Sequence, residues 1–160
     1  MAAAFNIRDA KLSDVPVIER FVRDLARYEK LEHEVMATTD QLRTALFGSS
    51  PKIFGLVCEV GGVPAGFALF FYNFSTFLGR AGIYVEDVYV DPAYRGRGIG
   101  KAFFGSLARR AVDEGCGRLE WAVLDWNEPA IKFYRSIGAK PMNEWQVQRV
   151  TGDALQALAS

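Results

Sequence analysis

Between Ile83 and Leu124 the chain passes through a β-rich run (Ile83 to Val90), a break at Asp91-Pro92, a loop with three glycines in five positions, a helix-patterned stretch from about Lys101 to Glu114, and a second strand-like run from Arg118 to Leu124. No other feature constrains the fold as much. Two strands joined across a helix can lie in one sheet only as a parallel pair. The earlier β-rich runs, Ile53 to Val60 and Ala65 to Phe74, are separated only by Gly61-Gly62, a hairpin signal, and are expected to be antiparallel. The chain therefore reads as α/β (α+β), a mixed and mostly antiparallel twisted sheet with a central parallel β-α-β passage and flanking helices.

The remaining elements fit around that passage. Phe5 to Asp9 alternates like a first strand, and Ser13 is placed to cap a helix carrying Ile18, Phe21, Val22, Leu25 and Tyr28 on one face. Thr38 and Gln41 have capping-box spacing ahead of a second helix ended by Gly48. In the helix after the glycine loop, Ala102, Phe103, Leu107, Ala111 and Val112 form the expected buried stripe. Asn127 to Ile137 reads as a further helix closed by Gly138, Trp145 to Val150 as a last strand, and Asp153 to Leu158 as a terminal helix. Residues 1–160 are expected to form one domain.

The glycine loop, Arg95-Gly96-Arg97-Gly98-Ile99-Gly100, is a cradle for an anion. Glycines free the backbone so that several N-H groups approach one ligand, and the following helix contributes unsatisfied N-H groups and the positive end of its dipole. Arg95, Arg97 and Lys101 reinforce the sign, so a phosphate or pyrophosphate is the natural guest. A Walker A loop is excluded, because its first glycine would fall at Arg95 and Ala102 follows the lysine. A dinucleotide fingerprint fails at Lys101 or at Phe103, where its third glycine belongs.

Composition narrows the partners. Nineteen Lys and Arg balance nineteen Asp and Glu, so nothing suggests a nucleic-acid surface. No apolar run approaches membrane-spanning length, and Met1 to Phe5 lacks the features of a signal peptide. Cys58 and Cys116 belong to no metal or disulfide pattern, and the only histidine, His33, sits in a charged connector and reads as a solvated residue. The expectation is a cytoplasmic protein with no metal.

What remains at the loop is R-x-x-G-x-G, and with the element order it resembles the GNAT N-acetyltransferase superfamily. The likeness is greatest to the diamine (spermidine/spermine) and thialysine acetyltransferases. It is carried by Leu25-Ala-Arg-Tyr-Glu29, Tyr84-Val-Glu-Asp-Val-Tyr-Val90, Tyr94 to Gly100, Ala122-Val-Leu-Asp-Trp-Asn-Glu-Pro129, and Phe133-Tyr134 followed by Gly138-Ala139. The resemblance implies acetyl-CoA as donor. Gly96, Arg97, Gly98, Ile99, Gly100 and Lys101, with Arg95, would hold its pyrophosphate, and the backbone of Val88, Tyr89 and Val90 would pair with its pantetheine arm. Asn127, Glu128, Pro129 and Ala130 would run along the cofactor.

Acetyl transfer to an amine needs a nitrogen lone pair, yet an alkyl ammonium is neutral in only ~0.04% of molecules at pH 7, a deprotonation cost of about 4.6 kcal/mol. Glu86 and Asp87 are adjacent carboxylates in an apolar strand, where alternation sends them to opposite faces. Either one of them meets solvent while the other pairs with an arginine, or one binds the ammonium and accepts its proton; the resemblance singles out Glu86. Tyr134 beside Phe133 and Ile137 reads by itself as core packing, but the resemblance makes it the acid that protonates the departing coenzyme A thiolate. Tyr28, Glu29, Glu86, Glu120, Trp121 and Ala122 would form the amine pocket, although Tyr28-Glu29 fit an amphipathic helix end nearly as well.

The loop Asn73-Phe-Ser-Thr-Phe77 is neutral near Thr76, where the diamine branch tends to carry an acid, which favours amino-acid-like amines over long polycations. The expected activity is acetylation of a small primary amine, a thialysine-like amino acid or a diamine or polyamine, by direct transfer in a ternary complex. A protein or peptide acetyltransferase and a non-catalytic acyl-CoA sensor are the alternatives. The resemblance also suggests a homodimer, with the C-terminal strand exchanged between subunits as one form of it.

Overall fold

The computed structural model describes residues 4–160; Met1 to Ala3, part of the opening stretch weighed as a leader, lie outside them. Among these residues the order is β1 (Phe5–Asp9), α1 (Val15–Tyr28), α2 (Thr39–Phe47), β2 (Phe54–Val60), β3 (Val63–Ser75), β4 (Arg80–Val90), α3 (Ile99–Asp113), β5 (Leu119–Trp121), α4 (Glu128–Ser136) and α5 (Gly152–Ala159). The strands form one sheet in the order β1-β2-β3-β4-β5. Every neighbouring pair is antiparallel except β4 and β5, which are parallel across α3. Contacts divide the chain into two compact units, one ending at Leu124 and one comprising Asp125–Ser160.

In the first unit the sheet has a helix layer on each face. Phe67 and Leu69 of β3 and Tyr89 of β4 pack with Ile18 and Phe21 of α1 and Leu46 of α2. The Phe21 ring lies 5.6 Å from that of Phe67 and 5.8 Å from that of Tyr89. The intervening β3 residues face α3, where the Arg110 guanidinium covers Phe70 and Glu114 accepts the Tyr72 hydroxyl at 2.6 Å. These face assignments follow from alternation along β3 and govern everything placed on β4.

The Gly61-Gly62 hairpin forms as expected, with φ of 57° and 79°, the pair of positive angles that a tight two-residue turn between twisted strands requires. The capping box of α2 forms too: Gln41 N-H donates to the Thr38 hydroxyl and Thr38 N-H to the Gln41 side chain.

Four expectations need correction. Ser13 does not cap α1; it lies in a short 3-10 turn, Leu12–Asp14, and α1 starts at Val15. Asp14 is the working residue there, accepting Lys11 N-H at 2.8 Å and a two-pronged Arg8 guanidinium at 2.7 and 2.9 Å. Burial opposes the Asp14 charge, but the Arg8 and Lys11 hydrogen bonds outweigh it and hold the carboxyl below its usual range. Val112 is exposed, because the stripe of α3 that meets the sheet is Ile99, Phe103, Phe104, Leu107 and Ala111. β5 is only three residues long, so Ala122 to Leu124 leave the sheet. Finally, Trp145 to Val150 form no strand.

The second unit holds α4 and α5. The Asn127 side chain caps α4 by accepting the Ala130 N-H, and Pro129 sits in the first turn, where its missing N-H costs nothing. Residues 140–160 are exposed throughout.

Candidate active site

The short β5 leaves part of β4 open. Pairing covers only Ile83 to Val85, against Leu119 to Trp121, while β4 continues to Val90 on β3 alone. Asp91 N-H bonds the Ala65 carbonyl at 2.9 Å, so antiparallel alternation turns Tyr89 toward β3 and the backbone groups of Val88 and Val90 toward the open side. That side offers an extended ligand a strand-like partner, as expected for a pantetheine arm.

A β-bulge interrupts the same strand. Leu69 pairs with Asp87 and Phe70 with Val85, so Glu86 is one residue too many. Its consequence is a change of face. Tyr84 opposes Phe71, with rings 5.2 Å apart, and Asp87 opposes Leu69; both are therefore on the α1 side although they stand three residues apart. Simple alternation, which sends Glu86 and Asp87 to opposite faces, does not describe this strand. Glu86 is exposed at the bulge, and Asp87 is half-buried behind it.

Other acids gather on this face. Burial pushes the Asp87 carboxyl up to about 7, with the Glu86 and Glu29 charges adding to the effect. Burial also raises Glu29, which caps the C-terminal end of α1, where the helix dipole disfavours a negative charge. Glu120 pairs in register with Tyr84, and burial followed by the Glu86 and Glu120 charges raises the Tyr84 phenol. Asn73 donates to Glu120 at 3.5 Å, and Arg118 Nε pairs with the same oxygen at 2.9 Å. The Asn73 amide fits only because its cross-strand partner is glycine: a Cβ on Gly82 would stand 2.6 Å from Asn73 Oδ1.

Thus Glu29, Glu86 and Glu120 from the predicted set come together on one face with Asp87. Trp121 is oriented differently, its indole 4.6 Å from Phe104 of α3, on the opposite face from Glu120. Ala122 is exposed just beyond β5. Asp87 and Asn73 lie outside the predicted set. Alternation separates Asp87 from Glu86 because a bulge leaves no mark on the hydrophobic pattern, and Asn73 is an ordinary polar residue in a strand until its partner is known to be glycine.

At the other end of β4, Gly96 and Gly98 have φ of 77° and 82°, the left-handed region, and neither would-be Cβ has a neighbour within 4 Å. The space above the loop is open. α3 begins at Ile99, whose buried side chain fixes the loop, and its first intrahelical bond runs from Ala102 N-H to the Gly98 carbonyl. The N-H groups of Ile99, Gly100 and Lys101 are thus spared by the helix, which fits a pyrophosphate. Arg97 lies over the Tyr94 ring at 5.3 Å. Arg95 folds back instead of reaching outward: its Nε donates to the Val90 carbonyl at 2.8 Å, and its guanidinium lies 5.3 Å from the Tyr28 ring and 5.4 Å from the Tyr89 ring.

In the second unit, Asn127 is buried at the cap of α4, Glu128 and Pro129 are exposed in its first turn, and Ala130 is half-buried. Tyr134 is half-buried two turns on, its ring 5.6 Å from that of Phe133.

The family described as Acetyltransferase (GNAT) matches residues 18–139. The chain is 40% identical over 164 residues to a thialysine N-epsilon-acetyltransferase of Bos taurus, covering 96% of each sequence. It is 34% identical to an L-ornithine N5-acetyltransferase of Arabidopsis thaliana, over 96% of this chain and 87% of that one. An integron cassette protein from the mobile metagenome of V. cholerae has a superposable structure, with a TM-score of 0.80 and 27% identity over 97% of each chain.

Proposed function

This chain belongs to the GNAT acetyltransferase family and is an acetyl-CoA-dependent N-acetyltransferase of small amines, and we propose that its acceptor is a compact amino-acid-like amine of the thialysine and ornithine kind, acetylated by direct transfer in a ternary complex. The observation that carries this reading is the bulge at Glu86, which puts two coupled carboxylates beside the open edge of β4. Acetyl-CoA supplies the acetyl group as a thioester. The backbone of Val88 and the N-H of Val90, whose carbonyl is held by Arg95, would align its pantetheine arm, Gly96 to Lys101 would hold its pyrophosphate, and Asn127 to Ala130 would flank it.

The ammonium meets Glu86, the exposed member of the pair, and its proton passes to the Glu86/Asp87 pair. A carboxyl held near 7 is matched to accepting a proton at neutral pH, unlike an ordinary carboxylate. The freed lone pair forms the new C-N bond as the C-S bond breaks, and the Tyr134 hydroxyl gives its proton to the leaving thiolate. Glu29 and Glu120 contribute negative potential for a second ammonium, with Tyr28 beside them. The turn of the β3–β4 hairpin adds no charge: Thr76 is neutral, Ser75 Oγ accepts the Leu78 N-H, and Phe77 is exposed.

Both units are proposed to serve one catalytic domain, since the family match spans residues 18–139 across the division. A homodimer is proposed on the exposed Trp145, Val147 and Val150 of the extended segment, which invite a second copy. No helix among the described residues is long and apolar enough to cross a membrane, and Cys58 and Cys116 are free thiols, which suits the proposed cytoplasmic location.

Coenzyme A release with thialysine, lysine, ornithine, spermidine and spermine tests the acceptor. The expected result is a higher kcat/KM for the amino acids than for spermine; a preference for spermine overturns the substrate class, and release with peptides alone overturns the small-molecule reading.

A further inference from the structure

Arg95 opens the glycine loop, and its charge suits a phosphate, yet its side chain is committed elsewhere. Three contacts fix it. Nε holds the carbonyl of Val90, the last residue of the open β4 edge, and the guanidinium lies against both the Tyr89 ring and the ring of Tyr28 in the last turn of α1. A planar guanidinium can lie against two rings while its edge still donates, a combination that the more strongly hydrated ammonium, although also drawn to a ring, does not reproduce. The loop expected to hold the pyrophosphate is thereby tied to the helix end that carries Glu29.

That helix end is closed by a turn in an unfavourable backbone conformation. α1 closes with Leu31 N-H on the Ala26 carbonyl and Lys30 N-H on Arg27, an arrangement that puts Lys30 at φ 63°, where glycine is the usual occupant. The turn bearing Tyr28 and Glu29 is held against a backbone cost, and Glu29 is half-buried, which opposes its charge. An ammonium beside Glu29 relieves the second cost and favours the closed turn.

We propose that Arg95 is a positioning residue that couples the two substrates: an amine on the acidic face secures the Tyr28 turn beneath the guanidinium, which steadies the glycine loop and tightens its hold on coenzyme A. Coupling is reciprocal, so coenzyme A tightens the amine by the same factor. The inference rests on the acceptor site proposed above.

Calorimetric titration of coenzyme A, with and without saturating thialysine, measures the coupling without turnover. In the unaltered protein thialysine should tighten coenzyme A by about fivefold, a typical coupling. Arg95→Met, Arg95→Lys and Tyr28→Leu should each bring that factor close to one, while Tyr28→Phe, which keeps the ring, should retain it. If Arg95 is only a counter-charge, Arg95→Met weakens coenzyme A equally with and without thialysine, and Arg95→Lys and Tyr28→Leu keep the full factor; either pattern overturns the coupling. Absence of coupling in the unaltered protein also overturns it. Failure of the underlying reading is separable, because thialysine would then be neither bound nor acetylated although coenzyme A still binds.

Discussion

The two units of the chain handle their apolar residues in opposite ways. Up to Leu124, sheet and helices bury Phe21, Phe67, Phe70, Phe103, Ile83 and Leu107 almost completely; from Asp125 onward no hydrophobic side chain is buried, and Trp145 and Val147 are 73% and 86% exposed. Both regions are rich in β-formers and aromatics. Composition therefore does not decide burial; packing against a facing element does, as α1 and α2 provide for β3 and β4 within the first unit. This contrast is broken most directly by truncating one residue from each unit. Phe103→Ala should cost about 3–5 kcal/mol, the transfer and cavity penalty of a buried phenyl. Val147→Ala should change the unfolding free energy of a single subunit by less than about 0.5 kcal/mol. Urea unfolding at low protein concentration gives both, and a large loss at Val147 would mean that the second unit depends on this side chain within one subunit.

Function divides differently from stability. Tyr134 lies in the second unit, half-buried against Phe133, so packing and catalysis compete as explanations for it. Tyr134→Phe keeps the ring and removes the hydroxyl. The expected outcome is a kcat lowered by roughly 10²-fold with an unfolding midpoint near that of the unaltered protein, since a general acid contributes about that much. Full turnover with reduced stability would make Tyr134 a packing residue.

The same contrast marks the limit of what the sequence disclosed. Period-two alternation and turn glycines located the hairpin and the parallel passage, because each of those signals is met by a partner in the chain, such as Val60 by Val63 across Gly61-Gly62 and Val85 by Trp121 across α3. Trp145 to Val150 carry comparable β-propensity but pair with no strand in this chain, and the expected strand is missing. At Glu86 the failure has another cause. The hydrophobic pattern of β4 is intact on both sides of the bulge, so the exchange of faces, and with it the placing of Asp87, is set by pairing to β3, which no window of the sequence contains.

Asp87 sharpens the comparison within the first unit, because there burial is destabilising. Its carboxyl titrates near 7 in the folded chain against 3.8 ordinarily, so the folded state binds more protons between those values and stability falls as pH rises across them. The whole difference corresponds to ~4 kcal/mol, and partial exposure reduces it to ~1–2 kcal/mol. Asp87→Asn should accordingly unfold later than the unaltered protein at pH 8 and at nearly the same point at pH 4. In the same variant the fall of kcat/KM below pH 7 should weaken, together with a lower plateau, if the Glu86/Asp87 pair takes the proton. Equal stability at both pH values would show that Asp87 is ionised in the folded chain at no cost.

The smallest expected effect concerns the turn that ends α1. Lys30 at φ 63° has the conformation that a Cβ makes unfavourable by roughly 1–2 kcal/mol, and glycine removes that cost. Glycine also gains freedom in the unfolded chain, worth roughly 0.5–1 kcal/mol against the fold. The two nearly cancel, so Lys30→Gly should raise the unfolding free energy by about 0.5 kcal/mol, read as a higher urea midpoint with an unchanged slope. The closed turn would then be better populated before any amine arrives. Coenzyme A should bind the free variant slightly tighter, and the factor by which thialysine improves that binding should shrink, because part of the ordering is already done. A loss of stability would mean instead that the contacts of the lysine side chain, rather than the backbone, hold the turn.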